Sequence, residues 1–273
     1  MNSPLSRICR WVATLSFLAL LALPAAAQGG GGKSAEDAIK DFRSRIGRGG
    51  ATQADVTAGL KSLDQAHPAV LKELLRWAAL PFVPPERQSV TGAGFTQVGG
   101  EDDRPNCVAA TRIGELFHGD PEAARGLVRV IKARAEERIR PGTIPDLYRV
   151  HDLGWLLDVY AVVHRPEGIA ELLPLSLHED SSICERVLAL MGEHGDESLV
   201  EPLIRVLAHA EKRNAGPAGA AGAGLSFGDD TGEIVVECAA EALQSITGEE
   251  LRGSAEWVRW WRENGKTFKR AAR

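Results

Sequence analysis

The chain has 273 residues, 44% of them apolar and 25% charged, with 32 Lys and Arg against 37 Asp and Glu. That balance fits a globular protein and excludes an acidic disordered tail or a polytopic membrane protein. The net charge of −5 also argues against a nucleic-acid partner, whose phosphates select for clustered basic residues.

Residues 1–27 have the three-part layout of a secretory signal: Arg7 and Arg10, an apolar run from Trp11 to Leu23, then Pro24 and the small residues Ala25, Ala26 and Ala27. The run is shorter than the roughly 20 residues that span a bilayer, so cleavage after Ala27 is expected in preference to an uncleaved anchor. Losing two basic residues and no acidic ones moves the net charge from −5 to −7. The expected product is periplasmic or extracellular, with no membrane span in the mature chain. Cys9 would leave with the signal. Cys107, Cys184 and Cys238 are too widely spaced for a C-x-x-C metal or redox motif, and an odd three allows at most one internal bridge. All three lie in apolar helical patterns, where a free cysteine behaves as a small buried hydrophobe.

Beyond the Gly29 to Gly32 leader, helices dominate. Residues 28–51 read as a flexible leader and one helix, with Ser34 and Asp37 at capping-box spacing ahead of Ile39, Phe42 and Ile46. Thr52 and Asp55 repeat the device before Val56, Leu60 and Leu63. No stretch alternates with period two over Val, Ile and Thr, so the fold class is all-α.

From residue 52 to 273 the helices recur. His118-Gly119-Asp120 precedes Leu127-Val128-Arg129-Val130-Ile131 at the same distance that His194-Gly195-Asp196 precedes Leu203-Ile204-Arg205-Val206-Leu207. His164-Arg165-Pro166 before Leu172-Leu173, and His67-Pro68 before Leu74-Leu75, are weaker copies. A further copy aligns Ala242-Leu243 and Thr247-Gly248-Glu249 with Ala189-Leu190 and His194-Gly195-Asp196. Each unit reads as helix, tight turn, helix. Gly119 and Gly195 are expected to close the first helix in a left-handed conformation, and Asp120 and Asp196 to cap the second, with Pro121 at its first position. Ala124, Leu127, Val128 and Ile131 share one helical face, which stacked neighbours would remove from water. About four to six such hairpins predict an α-solenoid.

Long connections interrupt the pattern at 84–105, which includes Glu101-Asp102-Asp103, and at 214–232, which is mostly Ala and Gly. Both read as disordered rather than functional, and the acidic run lacks the alternating ligand spacing of an EF-hand loop. His67, His118, His164 and His194 look like copies of one structural position, bonding helix-terminal carbonyls rather than converging on a catalytic centre. His178-Glu179-Asp180 reads as an inter-repeat turn before the helix from Ile183, with cation binding as the competing reading. Trp257, Trp260 and Trp261 lie on one helical face, expected to be a buried terminal cap; an exposed aromatic platform is the alternative. No H-E-x-x-H, nucleophile elbow or phosphate loop occurs, so no catalytic, metal or cofactor residue is assigned.

The run Ala189-Leu190-Met191-Gly192-Glu193-His194-Gly195-Asp196 with Val200-Glu201-Pro202-Leu203-Ile204 resembles a HEAT repeat of the short bacterial type. Ala239-Ala240-Glu241-Ala242-Leu243 with Thr247-Gly248 resembles it too, and Trp257-Val258-Arg259-Trp260-Trp261 is similar to the C-terminal cap of exported bacterial HEAT-repeat proteins. The resemblance is strong over about 183–262 and looser back to about 52. The 107–120 copy needs a two-residue gap, and the 142–177 copy lacks the Gly and Asp of the turn. The resemblance implies that second helices line a concave surface, which would place Arg125, Arg129, Lys132 and Arg205 on one partner-binding face. It implies a non-enzymatic exported protein that binds or scaffolds another protein. Two alternatives stand beside it: a HEAT-like lyase or cofactor-handling enzyme, which the export signal opposes, and a structural component of the cell envelope.

Overall fold

The computed structural model describes residues 34–47, 51–81, 104–138, 143–215 and 230–270. The expected signal and glycine leader, most of the 84–105 connection and the middle of the 214–232 connection lie outside them. Among the described residues there are ten α-helices, two 3-10 segments and no strand, so the chain is all-α. The helices are α1 (Ala35–Ile46), α2 (Gln53–Lys61), α3 (Pro68–Ala78), α4 (Pro105–Leu116), α5 (Pro121–Ala135) and α6 (Ile144–Val163). A 3-10 helix, Ile169–Leu177, follows, then α7 (Ser181–His194), a short 3-10 turn (Glu197–Leu199), α8 (Val200–Asn214), α9 (Asp230–Thr247) and α10 (Gly253–Asn264). The ends of both long connections are helical: Pro105 opens α4, and Asp230 to Gly232 form the first turn of α9.

Local chemistry sets the helix starts. Thr52 accepts from the Asp55 amide at 3.2 Å and the Asp55 carboxylate accepts from the Thr52 amide at 2.8 Å, a complete capping box for α2. The Asp120 carboxylate accepts from the amides of Glu122 and Ala123, with Pro121 supplying the first helical residue of α5. Asp196 likewise accepts from Ser198, but it caps the short 3-10 turn that leads into α8.

Two expected turn features are corrected. Gly119 is left-handed, with φ 75°, whereas Gly195 is extended, with φ −68° and ψ 159°. Glycine is required at 195 by space: a Cβ there would sit 2.3 Å from the Met191 carbonyl oxygen and 2.6 Å from Leu199 Cδ1. The second helix of the 142–177 copy is 3-10 rather than α. Pro174 has no amide to donate within it, and the Ser176 hydroxyl bonds the Leu173 carbonyl.

Packing follows chain order. The first helices of successive units pack in a row, α2 on α4, α4 on α6, α6 on α7 and α7 on α9. The second helices form a parallel succession of α3, α5, the 3-10 helix Ile169–Leu177, α8 and α10. Each second helix also packs on the first helix of the next unit, as α3 does on α4 and α8 on α9. The pairs joined by tight turns, α4 with α5 and α7 with α8, are not among these extensive contacts. The turn therefore makes a corner, and apolar area is buried between units rather than within one. Ala124, Leu127, Val128 and Ile131 are all buried, as their spacing requires. Gly126 lets α5 approach α3 closely, since a Cβ there would meet Leu75 Cδ1 at 2.4 Å.

Candidate functional site

Arg125, Arg129 and Lys132 lie on α5 and Arg205 on α8, and both helices pack against the 3-10 helix Ile169–Leu177. Three of the four cations already face carboxylates. Arg125 pairs with Glu122 at 2.5 Å, Lys132 with Glu171 at 2.6 Å, and Arg205 with Glu201 one turn away. Arg129 donates Nε to the Arg125 carbonyl at 3.3 Å. The second-helix surface is thus one of mixed charge rather than a basic stripe, and exposed pairs of this kind contribute only about 0–1 kcal/mol.

The three tryptophans take different roles. Trp257 is fully buried, and Trp260 and Trp261 are half-buried. Phe268, beyond the helix, meets the rings of both, with centroids 5.5 Å from Trp260 and 6.4 Å from Trp261. The remaining expected turn, His178-Glu179-Asp180, has its groups committed locally. Asp180 caps α7 through the Ser182 amide, His178 Nδ1 accepts from the Asp180 amide at 3.0 Å, and Glu179 pairs with Arg149 at 3.1 Å. Burial, and then the Arg149 charge, hold the His178 pKa below its ordinary value.

All three cysteines are free thiols. Burial raises Cys184 to about 11 and Cys238 to about 12, so neither is a thiolate at neutral pH.

A buried polar cluster between α4 and α6 has no counterpart in the sequence reading. The Arg104 guanidinium donates to Asp152 at 2.8 Å and to His151 Nδ1 at 2.5 Å, and Asn106 donates to the other Asp152 oxygen at 2.9 Å. Desolvation pushes the Asp152 carboxyl pKa up while Arg104 opposes it. Cys107, His151 and Asp152 place one ligand atom each within 4.8 Å of one another. The cluster is ill-suited to nucleophilic chemistry, because arginine only donates and His151 Nδ1 is therefore occupied as an acceptor.

The histidines give a second result. His67 does not sit at a helix C-terminus: its Nδ1 accepts from the Ala69 amide at 3.2 Å and caps the start of α3. The other three stand at the ends of neighbouring first helices, and stacking brings them together. His118 and His164 lie with ring planes 9° apart and centroids 6.1 Å apart; His164 meets His194 edge to face at 4.8 Å. Repetition along the chain thus produces convergence in space, contrary to the expectation from sequence. The His118 ring is tied to the next unit through Nδ1 and the Val162 carbonyl at 2.8 Å, and the Gly119 amide bonds the Val163 carbonyl at 2.8 Å.

No family model matches the chain, and neither a curated protein nor a solved structure matches it.

Proposed function

We propose that this protein is an exported HEAT-like α-solenoid that binds another protein through the surface of its second helices. The observation that carries the solenoid reading is the succession of contacts: α1 packs on α2 and α3, and from α2 onward every extensive helix pair among the described residues joins the same or adjacent units. A single-core globule would bring distant elements together, whereas a stack of repeated modules touches only its neighbours. On this reading the helices from α2–α3 to α9–α10 make five units. The step from solenoid to protein binding rests on fold analogy, since extended repeat surfaces suit macromolecular recognition. Export rests on the basic, apolar and small-residue segments of residues 1–27.

The mixed-charge surface favours a polar protein epitope over a polyanion. A carboxylate of the partner can displace Glu122, Glu171 or Glu201 from its cation at little cost, because each pair is weak in water. A photo-crosslinking residue placed at Arg129 or Arg205 tests the reading, with exposed Ala189 on α7 as the first-helix control. The expected result is one discrete adduct in the envelope fraction from positions 129 and 205 and none from 189. Equal labelling from both rows, or retention of the chain in the cytoplasm, would overturn it.

A further inference from the structure

The row of histidines ends in a group with the donors of a metal site. His194 is the last residue of α7, and its side chain is only 7% exposed. Its Nε2 is buried and has no hydrogen-bond partner, a costly state for a polar atom. Glu193 Oε2 lies 3.9 Å from that nitrogen. His164 faces the same ring and holds a backbone with φ 56° and ψ 53°; among the described residues it is the one non-glycine with positive φ. That conformation is uncommon for a non-glycine residue, and here it accompanies a ring held 4.8 Å from the His194 imidazole.

We propose that His164, Glu193 and His194 form a Zn²⁺ site at the junction of two neighbouring first helices. Their ligand atoms already lie within 4.8 Å of one another. Tetrahedral zinc with bonds of about 2.0–2.1 Å needs neighbouring donors roughly 3.3 Å apart. His164 and Glu193 are exposed and free to rotate inward, while buried His194 is the fixed anchor. Two imidazoles and a carboxylate leave the fourth position to water. The ends of α6 and α7 both present their C-terminal dipoles here, which favours a cation. Arg270 opposes it: the guanidinium bonds the carbonyls of Gly192, Glu193 and Gly195 at the end of α7. The site is accordingly weaker than a closed four-ligand structural zinc site. His118, stacked on the far neighbour His164 and tied to Val162, lies outside the ligand set. The Cys107, His151 and Asp152 group is the poorer candidate, because the Arg104 charge is bonded to two of its three members.

Calorimetric titration of the untagged full chain with Zn²⁺ tests the site, with Co²⁺ absorption reporting four-coordinate geometry. One ion per chain is expected. H164N, whose asparagine tolerates the left-handed backbone, and E193Q, on an exposed side chain, should each weaken binding by about tenfold or more, and H118N by less than about threefold. H194Q should abolish it; because that residue is buried, its thermal unfolding without metal is measured alongside. Absence of saturable zinc binding in the wild-type chain, or unchanged affinity in both H164N and E193Q, would overturn the assignment.

Discussion

Arg104 and Asp152, 48 residues apart in the chain, meet at 2.8 Å with side chains 10% and 3% exposed. The pair joins the start of α4 to the middle of α6, and Asn106 and His151 also bond to it. Its two charges have left water together, so each depends on the other. Removing one leaves the other unneutralised, which costs about 3–5 kcal/mol, whereas replacing both with apolar residues is much milder. Arg104→Met should therefore lower the urea midpoint strongly, and the Arg104→Met, Asp152→Leu double variant should recover part of the loss. A double variant that is worse than the single by the full additive amount would show that the two charges are not coupled.

Glycines 119 and 195 occupy corresponding places in the sequence and opposite physical situations. Around Gly119 an added Cβ meets nothing within 4 Å, and the cost of alanine is the left-handed backbone alone, about 1–2 kcal/mol. At Gly195 the backbone suits any residue, but the Cβ collides with the Met191 carbonyl and with Leu199. Gly119→Asn should consequently restore much of the stability lost in Gly119→Ala, because asparagine tolerates that region. Gly195→Asn should be at least as damaging as Gly195→Ala. Thermal unfolding of the four variants separates the two cases, and rescue by asparagine at both positions would contradict the steric account.

What was legible in the sequence was what neighbouring residues decide. The Thr52–Asp55 box and the Asp120 cap need only three or four residues, and the apolar face of α5 needs only helical spacing. The shared Gly-Asp motif concealed the difference at Gly195, because the clash there comes from Leu199 and from the carbonyl a turn earlier. The repeated motif suggests one structural position for His67, His118, His164 and His194, but His67 caps a helix start, His118 lies just past the cap of α4, His164 is the C-cap of α6 and His194 is the last residue of α7. The meeting of the last three depends on how units stack, which no single unit encodes. Arg104 and Asp152 were invisible for the same reason: nothing near either residue announces a partner 48 positions away.

His178 couples stability to pH. Its Nδ1 accepts from the Asp180 amide, a bond only the unprotonated nitrogen can make, and burial and Arg149 hold its pKa below the ordinary 6.5; Glu179 and Asp180 pull the other way. A histidine with a depressed folded-state pKa binds its proton more readily when unfolded. Its contribution is therefore complete above about pH 6.5 and is lost as pH falls from there through the folded value. His178→Asn keeps an acceptor near the same place and cannot titrate. Between about pH 7.5 and 5.5 the wild-type melting temperature should fall further than that of the variant. Parallel falls would assign the pH dependence elsewhere, His194 being the other histidine whose pKa burial depresses.

The end of the chain distinguishes a cap from a recognition platform. Trp257 is completely buried on α10, which packs on α8, and its Nε1 has no hydrogen-bond partner. A residue in that state contributes through the area it removes from water and bears the cost of a silent donor. Trp260 and Trp261 stand beside it partly buried, against Phe268 among others. Trp257→Ala should accordingly cost about 3–5 kcal/mol, the range for deleting a large buried aromatic. Phe268→Ala, which uncovers the two outer rings without opening a core cavity, should cost less than about 1.5 kcal/mol. Were the rings a platform, Trp260→Ala would leave the melting temperature unchanged and the Phe268 variant would gain affinity for aromatic-stacking ligands. With the cap, the ranking is one of stability: Trp257 first, the outer rings next and Phe268 last, and a urea denaturation series in that order is the outcome the packing demands.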